Sequence, residues 1–231
     1  TSLETDMTIT TGTVEQAADA ARDILARGIR MLKIKVGSGD LTLDVERVTA
    51  IAGAAPGAPL ILDGNGGFNA DKALQLTATL LEHGVRVALL EQPVPTDDWE
   101  GMRQVAQWCG IPIAADETAA DSSAVLRIVQ ERAAQVVNIK LMKSGIVEAL
   151  DIAAVCRSAG LRLMIGGNVE SILAMSASAC FAAGQGGFAY VDLDTPLLMA
   201  ENPFDGGMTY QGGRIELGHI QAGHGVMPGK S

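Results

Sequence analysis

The chain has 231 residues, of which 48% are hydrophobic but only 3% are aromatic, and its formal net charge is −10. This length suits a single α/β barrel, for which roughly 250 residues are typical, with a core of aliphatic side chains. The negative charge argues against nucleic acid or an anionic membrane as a partner, and no apolar run reaches the roughly 18 residues that a membrane span needs.

Eight runs rich in aliphatic and β-branched residues alternate with seven segments of helical pattern. This alternation predicts βαβ units and a parallel sheet. The predicted strands are residues 7–10, 31–36, 60–62, 85–90, 111–115, 136–141, 161–165 and 188–193.

The first helix has the clearest boundaries. Thr13 and Gln16 have the spacing of a capping box, and Gly28 fits the C-terminal stop. Residues 69–84 and 144–160 repeat the helical pattern, with short connections containing glycine and proline between the elements.

Carboxylates end three successive predicted strands at Asp63, Glu91 and Asp116. The intervals are 91 − 63 = 28 and 116 − 91 = 25 residues, about one strand, one helix and two loops. Acids placed in this way can converge on one divalent ion, and an all-oxygen ligand set suits Mg²⁺ or Mn²⁺ rather than zinc. The alternative is that the three acids only form salt bridges with nearby lysines.

Two lysines lie on either side of these acids in the chain. Lys35 precedes Asp63 by 63 − 35 = 28 residues, and Lys140 follows Asp116 by 140 − 116 = 24. Near a metal and partly desolvated, a lysine has a lowered pKa and its free amine can act as a base. The pair predicts that one lysine removes an α-proton and the other returns a proton to the opposite face, while the metal stabilises the enolate. The alternative, for either lysine taken singly, is a surface residue at the end of a strand, and the paired placement is what favours the catalytic role.

Side chains two positions apart on a strand share a face, which pairs Lys33 with Lys35, Asp63 with Asn65, and Asp192 with Asp194. Polar residues at the ends of so many strands favour a closed barrel over an open sheet, because every strand of a barrel ends at one pocket. The predicted fold is therefore of the α/β class, a (β/α)7β TIM-like barrel over residues 1–199. Residues 200–231 form a glycine-rich tail that packs on the barrel or on a further domain.

Five ordered motifs carry a resemblance to a known family. They are Lys33-Ile34-Lys35, Asp63-Gly64-Asn65, Glu91-Gln92-Pro93, Asp116-Glu117 and Asn138-Ile139-Lys140-Leu141-Met142-Lys143. Together they resemble the muconate-lactonizing subgroup of the enolase superfamily, which combines Lys or His bases with Mg²⁺. Asp192-Leu193-Asp194 resembles the Asp-x-Asp signature of dipeptide epimerases, and Met164-Ile165-Gly166-Gly167 with Glu170-Ser171 resembles the end of their seventh strand.

The three cysteines, Cys109, Cys156 and Cys180, are far apart and have no C-x-x-C spacing, which predicts reduced thiols in a cytoplasmic protein.

The resemblance implies a Mg²⁺-dependent epimerase that inverts the α-carbon of the C-terminal residue of a dipeptide. Lys35 and Lys140 would be the acid/base pair, Lys33 would support Lys35, and Asp63, Glu91 and Asp116 would hold the metal. The substrate-binding positions it implies are Asp192 and Asp194, which would hold the ammonium group, together with Asn65, Gly166 and Glu170.

Other functions are weighed against this one. Cycloisomerases, o-succinylbenzoate synthases and N-acylamino acid racemases of the same subgroup act on substrates without a free ammonium group, and therefore leave the two acids Asp192 and Asp194 unexplained. A non-catalytic metal-binding barrel, or a fragment that needs a partner chain, is the alternative of a different class. It is motivated by the expected absence from this chain of the family's N-terminal capping domain. A homo-oligomer is left open.

Overall fold

The computed structural model describes residues 2–10 and 12–229. The strands of this part of the chain are β1 (Ser2–Glu4), β2 (Met7–Ile9), β3 (Leu32–Lys35), β4 (Leu60–Asp63), β5 (Val87–Glu91), β6 (Ile113–Ala115), β7 (Val136–Ile139), β8 (Arg162–Gly166), β9 (Phe188–Asp192), β10 (Phe204–Gly206), β11 (Thr209–Gln211), β12 (Arg214–Glu216) and β13 (Val226–Pro228). The α-helices are α1 (Val14–Ala26), α2 (Leu41–Ala54), α3 (Ala70–Glu82), α4 (Trp99–Trp108), α5 (Ser122–Glu131), α6 (Leu141–Ala159) and α7 (Ile172–Gln185).

Strands β2 to β9 form one parallel sheet in sequence order, with a helix between each strand and the next. The sheet curls until its two edges meet. There, the backbone N–H of Asp6 donates to the carbonyl of Val191 over 3.0 Å, and the N–H of Thr8 donates to Asp194 Oδ2 over 2.7 Å. The predicted (β/α)7β barrel is confirmed.

Local sequence signals set the helix ends. The capping box of α1 is present, with Thr13 accepting from the N–H of Gln16 and the Gln16 side chain accepting from Thr13. Gly28 follows the helix with φ = 82°, a left-handed conformation that favours glycine. Helix α6 begins at Leu141, earlier than the predicted residue 144, and Gly145 with φ = 73° separates its first turn from the rest.

Two apolar cores hold the barrel together. The larger one lies between the strands and the surrounding helices. The smaller one fills the barrel interior with Ile61, Leu89, Ala114, Val136, Met164 and Tyr190, one residue from each of β4 to β9. Because this interior is packed with side chains, chemistry is confined to the ends of the strands.

The segment after residue 199 forms short antiparallel pairs. Strand β12 pairs with β11 and with β1, so the beginning of the described chain meets residues 209–216 in one small sheet, while β13 pairs with β10 in another. Met208, Ile215 and Val226 are buried in the larger core. Within residues 2–10 and 12–229, no helix is both long and apolar enough to span a membrane.

Candidate active site

A polar layer lies directly beyond the apolar interior of the barrel. Side chains alternate along a strand, so the residue two positions after each interior residue also points inward. These residues are Asp63, Glu91, Asp116, Asn138, Gly166 and Asp192. The polar residues of the layer are buried, and they stand at the C-terminal ends of the parallel strands, where barrels carry their functional sites.

Lys33 is the centre of this layer. Its side chain is only 2% exposed, and its Nζ lies 2.6 Å from Asp192 Oδ2, 2.8 Å from Glu91 Oε2 and 3.0 Å from Asp63 Oδ2. Burial alone lowers the pKa of Lys33, but the charges of Asp192 and Glu91 outweigh it and raise the pKa well above its usual value. Lys33 is therefore a fixed cation that joins acids from three strands.

Lys35 shares the face of Lys33 but is closer to solvent, with 34% of its side chain exposed. Its Nζ donates to Asp63 Oδ2 over 2.7 Å and to Asn65 Oδ1 over 2.8 Å. Asn65 has φ = 42°, and its Nδ2 donates to Glu117 Oε1 over 3.3 Å. The structure thus brings together Lys35, Asp63 and Asn65, as their positions in the sequence predict.

Lys140 precedes α6 and lies across the barrel from Lys35. Its Nζ is 2.6 Å from Asp116 Oδ2, and it donates to Asn168 Oδ1 over 3.2 Å. Burial lowers the pKa of Lys140, but Asp116 and Glu91 outweigh this effect and raise it. The lowered lysine pKa expected from the sequence is therefore wrong for Lys140 in the ion-paired structure.

Sequence reasoning missed the roles of Lys143 and Asn138. Lys143 Nζ donates to Asp116 Oδ1 over 2.6 Å, and Asn138 Nδ2 donates to Glu91 Oε1 over 2.7 Å. The spacing along the chain could have indicated both roles. Asn138 lies two residues before Lys140 and therefore shares its face. Lys143 lies three residues after Lys140, in the first turn of a helix, and can therefore reach the same side. Each residue donates a hydrogen bond to one carboxylate oxygen of a strand-end acid. The second oxygen of that carboxylate is not bonded to the same residue.

Gly166 makes room for Asn138. A Cβ atom on Gly166 would lie 2.8 Å from Asn138 Oδ1, closer than real Cβ atoms come to other side chains. Gln92, with φ = 35°, holds the next loop, because its Oε1 accepts from the N–H groups of Asp116 and Thr118. These contacts fix the orientation of the strand-end acids.

The acids of the layer differ in their affinity for protons. Burial raises the pKa of Asp63, but Lys33 and Lys35 outweigh it and lower the pKa to about 2. Burial and the neighbouring charge of Asp63 raise the pKa of Glu91 to about 8. Burial also raises the pKa of Asp116, yet the nearby lysines overcome this and lower it.

The site fits a hard divalent cation. Glu91 Oε2 and Asp116 Oδ2 are buried and accept no hydrogen bond from any described residue, although ammonium nitrogens lie 2.8 and 2.6 Å away. Together with Asp63 they provide an all-oxygen donor set on adjacent strands. Within the described chain, the close group of three acids is a different one: one carboxylate oxygen from each of Asp6, Asp192 and Asp194 lies within 4.8 Å of the other two. The predicted ligands Asp63, Glu91 and Asp116 do not form so close a group, and each of them contacts a lysine.

A cavity of about 310 Å³ opens above this layer. Of the predicted site residues it is lined by Lys33, Lys35, Asn65, Lys140, Asp192 and Asp194, and also by Thr8, Thr10, Glu117, Gly167, Asn168, Val169, Thr195 and Leu198. Gly166, Glu170 and the three predicted metal ligands Asp63, Glu91 and Asp116 are not part of its lining. Glu170 instead accepts a hydrogen bond over 2.8 Å from the N–H of Asn168, and so shapes the loop that follows β8.

Comparison with known proteins places these features in a family. A family model described as enolase C-terminal domain-like matches residues 16–230. An aromatic dipeptide epimerase of Herpetosiphon aurantiacus is 52% identical over 224 residues, which cover 97% of this chain and 63% of that protein. The chain thus spans about 63% of the length of this curated relative.

Solved structures of related enzymes are also similar to this chain. A mandelate racemase/muconate lactonizing enzyme from Roseiflexus sp. is 58% identical with a TM-score of 0.98, and the match covers 100% of this chain and 66% of that one. A dipeptide epimerase from Cytophaga hutchinsonii, complexed with Mg and the dipeptide D-Ala-L-Val, is 33% identical with a TM-score of 0.94, over 100% of this chain and 62% of that one. The resemblance drawn from the sequence motifs is confirmed.

Proposed function

The chain belongs to the enolase C-terminal domain-like family, and we propose that it carries the catalytic barrel of a Mg²⁺-dependent dipeptide epimerase. The reaction inverts the α-carbon of the C-terminal residue of a dipeptide. The observation that carries this proposal is a single cavity lined by Lys35 and Lys140 from different sides and by the acids Asp192 and Asp194.

The two lysines move the proton. Lys35 lies at the end of β3 and Lys140 directly after β7, with strands β4 to β6 between them, so they reach an α-carbon in the cavity from opposite faces. One amine takes the α-proton and the other ammonium delivers a proton to the opposite face, which inverts the configuration. For the other epimer, the two lysines exchange these roles.

Asp63, Glu91 and Asp116 would hold Mg²⁺, with Mn²⁺ as a substitute. When bound, the ion supplies positive charge that fixes the substrate carboxylate and stabilises the charge that develops as the α-proton leaves. Lys33, Lys143 and Asn138 orient the three acids through the contacts described above. Gly166 preserves the space that Asn138 needs.

Asp192 and Asp194 would bind the ammonium group at the N-terminus of the dipeptide. Both acids line the cavity, and charge-assisted hydrogen bonds from an ammonium group to two carboxylates are strong. This pair favours a dipeptide over the substrates of the related cycloisomerases and synthases, which lack a free amine. Asn65 at the rim and Glu170 in the loop after β8 shape the remaining surface.

The relatives support the same substrate class. The curated relative from Herpetosiphon aurantiacus is named an aromatic dipeptide epimerase, and the structure from Cytophaga hutchinsonii contains Mg and a dipeptide. This chain spans 63% of the first relative and 62% of the second, so their similarity supports the substrate class and leaves the activity as a proposal.

Deuterium uptake in heavy water tests the proposal. The chain is incubated with Mg²⁺ and a pooled library of L,L-dipeptides that includes aromatic residues, and mass spectrometry detects incorporation at the α-carbon. Uptake of one deuteron by a subset of dipeptides, abolished by EDTA, is the expected result. Mg²⁺ binding without exchange of any dipeptide would overturn the proposal for this chain and favour a metal-binding barrel without its own catalysis.

A further inference from the structure

Asp6 occupies a position where the barrel otherwise places apolar side chains. Thr8 pairs in register with Lys33, so Asp6, two residues earlier on the same face, stands level with Met31, which packs against the apolar interior. Asp6 is 0% exposed, and neither of its carboxylate oxygens accepts a hydrogen bond from any described residue. An isolated buried carboxylate is costly, so this acid requires a physical explanation.

The neighbours of Asp6 are mostly acids. Carboxylate oxygens of Asp6, Asp192 and Asp194 all lie within 4.8 Å of one another. Lys33 pairs with Asp192, and the N–H of Thr8 donates to Asp194, so both of these acids already have partners. Tyr210, a further titratable group near Asp194, donates its hydroxyl proton to the carbonyl of Leu193.

The electrostatics of the cluster favour a proton on Asp6. Burial raises the pKa of Asp6 well above its usual value and the charge of Asp192 adds to this, while Lys33 opposes it. A protonated carboxyl has an O–H to donate, and the nearby Asp192 carboxylate can accept it. Unlike Asp192 and Asp194, Asp6 does not line the cavity.

We infer that Asp6 is a positioning residue that remains a carboxylic acid in the folded protein and donates a hydrogen bond to Asp192. Its proton gives Asp192 a hydrogen-bond donor and removes one negative charge from the group of three acids. The two acids that line the cavity are then the ones that face a substrate ammonium group, a consequence that rests on the proposed function. Ionised Asp6 would instead add a third negative charge to the group and remove the donor to Asp192.

Infrared spectroscopy tests the protonation without reference to catalysis. The chain is labelled with ¹³C at its aspartate carboxyl groups, and the wild type is compared with Asp6→Asn at neutral pH. The expected result is a carbonyl-stretch band of a protonated carboxyl in the wild type that is missing from the variant. Identical spectra would overturn the inference. Carboxyl ¹³C NMR of the labelled protein gives a second readout: one aspartate signal should stay at the protonated position at neutral pH in the wild type and be missing from Asp6→Asn.

Substrate kinetics test the positioning role. Asp6→Asn retains a donor in the same place, whereas Asp6→Val does not. Asp6→Val should raise KM for a dipeptide about tenfold, the worth of a hydrogen bond to a charged group, with kcat changed by less than about twofold. Asp6→Asn should keep the KM of the wild type. An equal rise of KM in both variants would overturn the positioning role. If no dipeptide exchanges but the infrared band is lost in Asp6→Asn, the proposed function fails while the protonated Asp6 stands.

Discussion

The ammonium group of Lys33 lies 2.6 Å from the carboxylate of Asp192, and the same nitrogen contacts Glu91 and Asp63. One buried cation on β3 thus connects the acids of β4 and β5 with the acid of β9. Removing one member of a buried ionic group leaves uncompensated charge, which is more costly than breaking an exposed pair.

Lys33→Met should therefore lower the free energy of unfolding by about 3–5 kcal/mol, as measured by urea denaturation. Lys35→Met is the matched control on the same strand, because its ammonium is partly exposed and its loss should cost about 1 kcal/mol or less. Similar losses in the two variants would show that Lys33 is not the electrostatic centre of the layer.

Each lysine of the proposed acid/base pair should serve one substrate epimer. Lys35→Ala should abolish α-proton exchange for one epimer of a dipeptide, and Lys140→Ala for the other, because each amine reaches one face of the α-carbon. Exchange in heavy water is followed by mass spectrometry with each epimer separately. Equal residual exchange of both epimers in either variant would contradict the assignment of two bases.

Mg²⁺ should stabilise the folded chain. A ligand that binds only the folded state at about a hundredfold its dissociation constant adds about 3 kcal/mol of stability. The unfolding temperature should rise with Mg²⁺ and fall back with EDTA, and this shift should be largely lost in Asp116→Asn. Asp151→Asn, on the exposed side of α6, is the control and should keep the full shift. If Asp116→Asn kept the full rise in unfolding temperature with Mg²⁺, Asp116 would not be a ligand of the ion.

The buried acid Asp6 should make stability depend on pH. Since its folded pKa is raised, the stability it contributes is fully present below its unfolded pKa and is lost as pH rises through the folded value. Asp6→Asn does not titrate, so its stability should increase relative to the wild type by up to about 1.4 kcal/mol per pH unit in this window. Urea denaturation at about pH 5 and about pH 7 measures the difference. The surface variant Asp151→Asn should show no such trend, and the same lack of trend in Asp6→Asn would argue that Asp6 is ionised.

Two glycines should respond in opposite ways to alanine. Gly166→Ala brings a Cβ within 2.8 Å of Asn138 and should break its hydrogen bond to Glu91, at a cost of about 1–3 kcal/mol. Gly53→Ala, in helix α2 with no atom within 4 Å of the new Cβ, should stabilise the chain by about 0.5–1 kcal/mol. Thermal unfolding distinguishes them, and a harmless Gly166→Ala would mean that Asn138 can move without loss.

The amino-acid sequence determines the elements and the order of the barrel because its signals are local. Alternating strand and helix patterns, the capping box of Thr13 and Gln16, and the acids at regular intervals all depend on residues close together in the chain. The alternation of side chains along a strand also places Lys33 with Lys35 and Asp63 with Asn65, and the structure brings these residues together.

Only the tertiary structure decides which partner each charge takes. Lys33 reaches Asp192 across 159 positions of sequence, and Asp6 meets Asp192 and Asp194 only because the barrel closes between β2 and β9. Burial of these groups depends on that closure. Burial raises the pKa of Asp6, whereas for Lys140 the charges of Asp116 and Glu91 outweigh burial and raise the pKa. Spacing along a strand fixes the face of a side chain, but its electrostatic environment comes from strands that are distant in the chain, and only folding brings them together.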